Sequence, residues 1–217
     1  MRRLLLLFVA LLCLWEFASA RAIAEEPVGS ITALKGHAIA RRAGQELEVV
    51  LAMSVLRDDE IVTDAGSGVT ITLTGGTRLT LSESTSLIVD ESIVAADKRG
   101  KSIMHLLGGQ LRSIVASIGT VSGNFEVHTP NAIAATRGTD FEVAFIEGKP
   151  CPEEPTCRRY TTVGVYQGIV DVSNPTSSDS SHSVAVTAGY QANVPCELVP
   201  EPPSPWGIEE LTTPGYN

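Results

Sequence analysis

Between Val69 and Leu81 the chain alternates. Val69, Ile71, Leu73, Leu79 and Leu81 are separated by Thr70, Thr72, Thr74, Arg78 and Thr80. A period of two, rich in β-branched residues, marks strands with one face buried and the other in water. It admits neither an amphipathic helix nor a disordered tract. Further segments of strand character are Ser30–Arg41, Glu46–Val50, Ser102–Leu107, Leu111–Ala116, Phe125–His128, Phe141–Phe145, Thr161–Val165, Ile169–Val172, Ser183–Thr187 and Tyr190–Val194. Glycines punctuate them, and no long helical stripe interrupts the series. The expected fold class is all-β. Ser173 to His182, rich in Ser, Asp and Asn, reads as a surface loop between two strands.

The alternation also constrains the turn at Gly75-Gly76. A two-residue hairpin would pair Leu73 with Arg78 and Thr72 with Leu79, setting apolar against polar along the whole ladder. The buried face fixes register, so that pairing loses. A three-residue loop, Gly75 to Thr77, pairs Leu73 with Leu79 and Ile71 with Leu81. A corner between rungs of a coiled sheet also satisfies the pattern.

The N-terminus predicts export. Arg2 and Arg3 precede an apolar run, Leu4 to Leu14, that is short for a bilayer span. Ala18-Ser19-Ala20 is a small-x-small cleavage site, with Ala22-Ile23-Ala24 as a second candidate. Residues 1–20 therefore read as a secretory signal peptide and stand outside the fold. The full chain carries a formal charge of −9; without residues 1–20, which hold Arg2, Arg3 and Glu16, it carries −10. Such a surface repels phosphate backbones and argues against nucleic acid as a partner. No later apolar run suggests a transmembrane segment, and the expected location is periplasmic or secreted.

Three cysteines follow the signal peptide: Cys151, Cys157 and Cys196. An odd count in an oxidising compartment leaves one unpaired or intermolecular. Cys151 and Cys157 bracket CPEEPTC, whose prolines pre-set a turn, and are the expected disulfide. Cys157 with Cys196 is the alternative. His37, His105, His128 and His182 are scattered in sequence and suggest no metal site. From residue 196 to 217 the chain is proline-dense and is expected to be an extended, mobile tail, in which Trp206 and Ile208 are the residues able to dock.

Catalytic patterns are sparse. Asp64-Ala65-Gly66 lacks the hydroxyl of an aspartic-protease triplet and a second copy. Gly119 to Gly123 places Ser122 one position from a nucleophile elbow, with no helix following. No histidine stands as an evident base, and no calcium-loop spacing of acids occurs. A non-enzymatic chain without cofactors is expected.

The stretch TPNAIAATRGTDFEV, Thr129 to Val143, is the most distinctive in the chain. Pro130 removes a donor and biases its neighbour to extended backbone. Ala132, Ala134 and Ala135 allow close approach, and Gly138 allows a backbone angle closed to other residues. Arg137 is expected to clasp the corner by bonding Asp140 or freed carbonyls. Phe141, Val143 and Phe145 then share one face. Arg-Gly-Thr-Asp is not an adhesion tripeptide, since Thr139 intervenes.

This stretch resembles the FecR-type periplasmic domain family, which characteristically shows Thr129-Pro130, small residues, then Arg137-Gly138-Thr139, Asp140 and Phe141. GSITALKGHAIARRAG, the region around Asp59, Thr63, Leu73, Gly76 and Leu81, and LLGGQLRSIV, TTVGVYQGIVDVSN and AVTAGYQANV agree in order. The similarity runs from about Val28 to Val194, so residues 28–195 form the expected domain; Ala52 and Gly75 depart from the family pattern. The resemblance implies a twisted, β-helix-like stack of short strands serving as an exported interaction module. The best-known members reach a cytoplasmic sigma factor through a transmembrane helix, which the signal peptide here replaces. Two functions are therefore expected to compete: a non-catalytic module binding an envelope protein, and a carbohydrate- or peptidoglycan-binding module. Aromatic residues, which sugar platforms favour, are scarce.

Overall fold

A computed structural model describes residues 26–92, 101–116, 124–179 and 181–207. The signal-peptide assignment, the Gly119–Gly123 stretch and Ile208 lie outside these residues. Seventeen strands occur among the described residues, and no helix. They are β1 (Gly29–Lys35), β2 (Ala38–Arg42), β3 (Gln45–Glu48), β4 (Ser54–Val55), β5 (Glu60–Thr63), β6 (Gly68–Leu73), β7 (Arg78–Leu81), β8 (Ser86–Ser92), β9 (Lys101–Ile114), β10 (Asn124–His128), β11 (Ile133–Thr136), β12 (Asp140–Glu147), β13 (Arg159–Gln167), β14 (Ile169–Ser173), β15 (Ser183–Thr187), β16 (Tyr190–Pro195) and β17 (Ser204–Pro205).

Their pairings resolve into two ladders. Ladder A runs β4-β1-β6-β7-β9-β12-β13-β16-β17. Ladder B runs β3-β2-β5-β8-β9-β10-β11-β14-β15. The 14-residue β9 belongs to both. Its first half, to Gly108, pairs β8, and its second half, from Gly109, pairs β12. Gly109 has φ +82°, and a Cβ there would stand 2.4 Å from the Thr85 hydroxyl oxygen. Only glycine fits where the strand changes ladders. The result is one open sheet folded over on itself, with four edges: β4 and β17, β3 and β15.

The inward faces form a common core. Ile31, Val69, Ile71, Leu79, Leu81, Leu111, Phe141 and Val143 from ladder A meet Ala40, Ile61, Leu87, Met104, Leu106, Phe125, Val127 and Val172 from ladder B. Phe125 and Phe141 touch edge to face, centroids 6.1 Å apart. Fully burying side chains of this size contributes about 1.5–3 kcal/mol each, and this shared apolar layer is what holds the two ladders together.

Three expectations change in detail. The β6–β7 turn is a hairpin with a three-residue loop, but the loop is Thr74 to Gly76. Ile71 faces Leu79 and Val69 faces Leu81, and the Leu73 N–H donates to the Thr77 carbonyl at 2.8 Å. The register is two residues from the expected one. Both registers keep the same side chains inward; the positive φ of Gly75 and Gly76 (107° and 89°) sets the loop. Ser102–Leu107 and Leu111–Ala116 join into β9. The third change concerns β-helix-like stacking, which implies parallel ladders between rungs. Here β9–β10 is the one parallel ladder among the described residues. Every other ladder among the described residues is antiparallel, and what these pairings establish is an all-β open sheet.

The tail also departs from expectation up to residue 207. Ser204 and Pro205 pair with Gln191 and Tyr190, the Trp206 N–H donates to the Gly189 carbonyl at 2.8 Å, and the Trp206 ring is buried. Proline is tolerated because β17 is an edge, where a missing donor costs no ladder bond.

Candidate functional site

The Thr129–Val143 stretch is a run of three elements. β10 turns into β11 through Thr129 to Ala132, closed by the Thr129 N–H donating to the Ala132 carbonyl at 2.9 Å. Thr129 and Asn131 are buried beneath this turn. The Thr129 and Thr161 hydroxyls are 2.7 Å apart, and the Thr161 hydroxyl donates to Asn131 Oδ1 at 2.7 Å. Asn131 Nδ2 donates to the Val194 carbonyl at 2.7 Å and to that of Cys196 at 3.2 Å. Asn174 Nδ2 also reaches Cys196, at 2.9 Å. This buried network ties the turn to β13 and to the start of the tail. Asn131, missed as a functional position in the sequence, is its hub; Pro130 is exposed.

The second corner, between β11 and β12, does not depend on Arg137 in the expected way. Arg137 is exposed, and its Nε donates to Asn124 Oδ1 at 3.1 Å. Asp140 is held by Arg112 of β9, in two bonds of 3.0 and 2.9 Å. The corner itself is pinned by Gly138, at φ +87°, and by buried Thr139, whose hydroxyl donates to that of Thr136 at 2.9 Å. Gly168 lies against Thr139: a Cβ there would come within 2.5 Å of Thr139 Cγ2. Phe141 is fully buried, as its alternation with Glu142 predicts. Arg112 and Thr139 thus make the corner contacts expected of Arg137.

The outer face of ladder A is more unusual. One cross-strand row runs Arg112, Glu142, Gly164, Gln191, Ser204, from β9 to β17. Glu142 is only 2% exposed. Gln110 Nε2 and the Tyr166 hydroxyl both donate to its carboxylate. Burial pushes the Glu142 carboxyl above its ordinary range. Burial, and then the nearby Glu142 charge, raise the Tyr166 phenol to about 12. The Arg112 guanidinium sits 4.1 Å from the Tyr166 ring centroid, and the Trp206 ring 4.5 Å from it. Trp206 lies across Gly164, where an added Cβ would meet the indole at 2.8 Å. The sequence carried a signal for this contact: a glycine inside RYTTVGVYQ marks close approach.

The disulfide joins Cys157 to Cys196, sulfurs 2.17 Å apart, and Cys151 is a free, buried thiol. The expected Cys151–Cys157 pair is therefore not formed. The Cys151 N–H donates to the Cys157 carbonyl at 2.9 Å, so the CPEEPTC loop is closed by backbone rather than by sulfur. Burial raises the Cys151 thiol, which keeps it protonated. The fold brings together two histidines that stand apart in sequence. His105 and His128 are 5.3 Å apart, bonded to Asp90 and Glu126 respectively. Among the described residues, no group of three or more His, Cys, Asp or Glu is arranged to hold a metal, and no helix is long and apolar enough to cross a membrane.

Buried Asp59 and Thr63 are also held by hydrogen bonds. Arg42 donates to both Asp59 carboxylate oxygens, at 2.7 and 2.6 Å, and the Leu56 N–H donates to Oδ2 at 2.8 Å. The Thr63 hydroxyl donates to the Ser82 carbonyl at 2.6 Å and accepts the Thr85 N–H at 2.9 Å.

No curated protein matches the chain. Two crystal structures do, both described as a "putative anti-sigma factor" from Parabacteroides distasonis ATCC 8503. They superpose with TM-scores of 0.54 and 0.53 at 19% identity, covering 70% of this chain. The match spans 62% of the length of those chains, and at that identity it speaks to fold alone. A family model described as FecR protein matches residues 59–171, just over half of the 217 residues and including both corners described above. The chain therefore belongs to the FecR protein family.

Proposed function

We propose that this chain is an exported, non-catalytic protein-interaction module acting in cell-envelope signalling or assembly, and that it binds its partner by strand addition at β15. Family membership and the anti-sigma-factor description of the structural neighbours support a signalling role. The observation that carries the binding mode is the contrast among the four sheet edges. β3 presents Gln45-Glu46-Leu47-Glu48, with two charges; β4 has two residues; β17 contains Pro205. Charge, brevity and proline are the ordinary protections of an edge. β15, Ser-Val-Ala-Val-Thr, has none of them, and Ser183, Ala185 and Thr187 are exposed. An extended segment of a protein partner can add there through main-chain hydrogen bonds.

The test is partner capture from envelope extract by the unaltered chain and by the Ala185→Lys/Thr187→Lys variant, beside binding assays on glycans and peptidoglycan. The expected result is a protein captured by the former and lost with the latter, at unchanged melting temperature. Saturable glycan binding without protein capture would favour the carbohydrate reading. Capture indifferent to the β15 substitutions would refute strand addition.

A further inference from the structure

The far edge of the other ladder is occupied by the chain itself. Ser204 and Pro205 extend ladder A by two residues, and Trp206 folds back over the face. Its attachment to β16 is by two paired residues and two backbone bonds of 2.8 Å, from the Glu201 N–H to the Asn193 carbonyl and from the Trp206 N–H to the Gly189 carbonyl, with one ring lying on Gly164 and Tyr166. The ring is 6% exposed, yet among the described residues its indole N–H has no hydrogen-bond acceptor. A buried donor left unpaired opposes the packing gained around it. The slot beneath is preformed on other grounds. Gly164 stands in the middle of β13, and its neighbours in the row, Glu142 and Gln191, belong to strands that pair without the tail. An internal segment added at a sheet edge, with one ring in a preformed slot and its N–H unpaired, has the character of a resident ligand.

We infer that the β16 edge and the Gly164–Tyr166 slot form a recognition groove for an extended, proline-containing peptide with an aromatic anchor, and that Ser204–Trp206 is a displaceable internal occupant. The chain's own segment states the chemistry. The incoming peptide pairs its backbone with Tyr190 and Gln191, tolerates proline because it adds at an edge, and lays a flat ring on the backbone of Gly164. Arg112, beside Tyr166, adds a cation to the aromatic stack. A phenylalanine anchor, which has no N–H to bury, competes with the resident tryptophan. The inference rests on the interaction-module reading but places a contact on the opposite ladder from β15.

The test uses a fluorescein-labelled peptide of residues 201–207, EPPSPWG, and its Trp→Phe form, followed by polarisation. Saturable binding is expected to the full chain carrying Trp206→Ala, at least tenfold weaker binding to the unaltered chain, and loss of binding when Gly164→Val is added. Circular dichroism checks that each variant is folded. In the unaltered chain, excess unlabelled Phe peptide should speed hydrogen exchange at the Trp206 amide while leaving the β12–β13 amides unchanged. This second measurement holds if Trp206→Ala fails to fold. Absence of binding to a folded Trp206→Ala chain, equal binding to both chains, or Trp206 exchange unmoved by peptide would overturn the groove. Envelope capture that depends on β15 but not on these substitutions would overturn it and leave strand addition standing.

Discussion

Breaking the Cys157–Cys196 link should destabilise the body by freeing its unfolded chain. The bond closes a loop of 39 residues. In the chain-entropy treatment, restricting the unfolded chain by a loop of that length amounts to about 13 cal/mol/K, or about 4 kcal/mol at 25 °C. Cys151 complicates the measurement. In a Cys196→Ser chain it lies six residues from Cys157, and pairing the two would restore about 2 kcal/mol of restriction. The comparison is therefore made in a Cys151→Ala background, oxidised against reduced, by guanidinium unfolding with a constant m-value. The expected loss on reduction is about 4 kcal/mol, a fall of roughly 8–16 °C in Tm for a body this size. Cys151→Ala alone should keep the disulfide and cost about 1 kcal/mol for the vacated thiol volume. The reasoning fails if peptide mapping of the unaltered chain yields a Cys151–Cys157 peptide, or if Cys151→Ala destabilises as much as reduction does.

Arg137→Ala should shift stability by less than about 0.5 kcal/mol, whereas Arg112→Ala, which removes both bonds to Asp140 and the contact with Tyr166, should cost about 1 kcal/mol; paired thermal melts decide. Gly168→Ala forces a side chain into φ +92° and against Thr139, so a loss of about 1–3 kcal/mol or more is expected in urea titration. The Glu142 carboxyl holds its proton more tightly folded than unfolded. Its contribution is therefore fully present below the ordinary carboxylate value and is lost as pH rises through the raised folded value. Glu142→Gln should accordingly gain on the unaltered chain as pH rises above the ordinary carboxylate range, and identical pH profiles for the two would refute that account.

The alternation at Val69–Leu81 made the inward faces of β6 and β7 legible before any coordinates. It left register open by two residues, because moving a strand by two preserves every face. Phe141 and its alternating neighbours were legible for the same reason. The partner of Asp140 was not. Arg137 is three residues away in sequence and Arg112 is 28, and only the β9–β12 ladder brings the distant one opposite. The docked tail was hidden because composition described its prolines correctly as unfit for a sheet interior. What composition could not show was an edge at the right place, with a glycine beneath it. Loop chemistry does not reveal the disulfide: two prolines and a short spacing favour closure between Cys151 and Cys157, but a backbone hydrogen bond supplies it. The histidine pair was invisible, since adjacency of β9 and β10 arises from a parallel ladder with no local signature.

Because β9 serves two ladders, its length is under a double constraint. Adding or deleting one residue within Lys101–Ile114 would exchange inside for outside beyond that point, and would displace Gly109 from the only spot where the backbone can pass Thr85. Length variation among relatives should thus gather in the connections and spare this segment. The strand acts as a common ruler, and a chain that measured it wrongly would lose both layers in a single step.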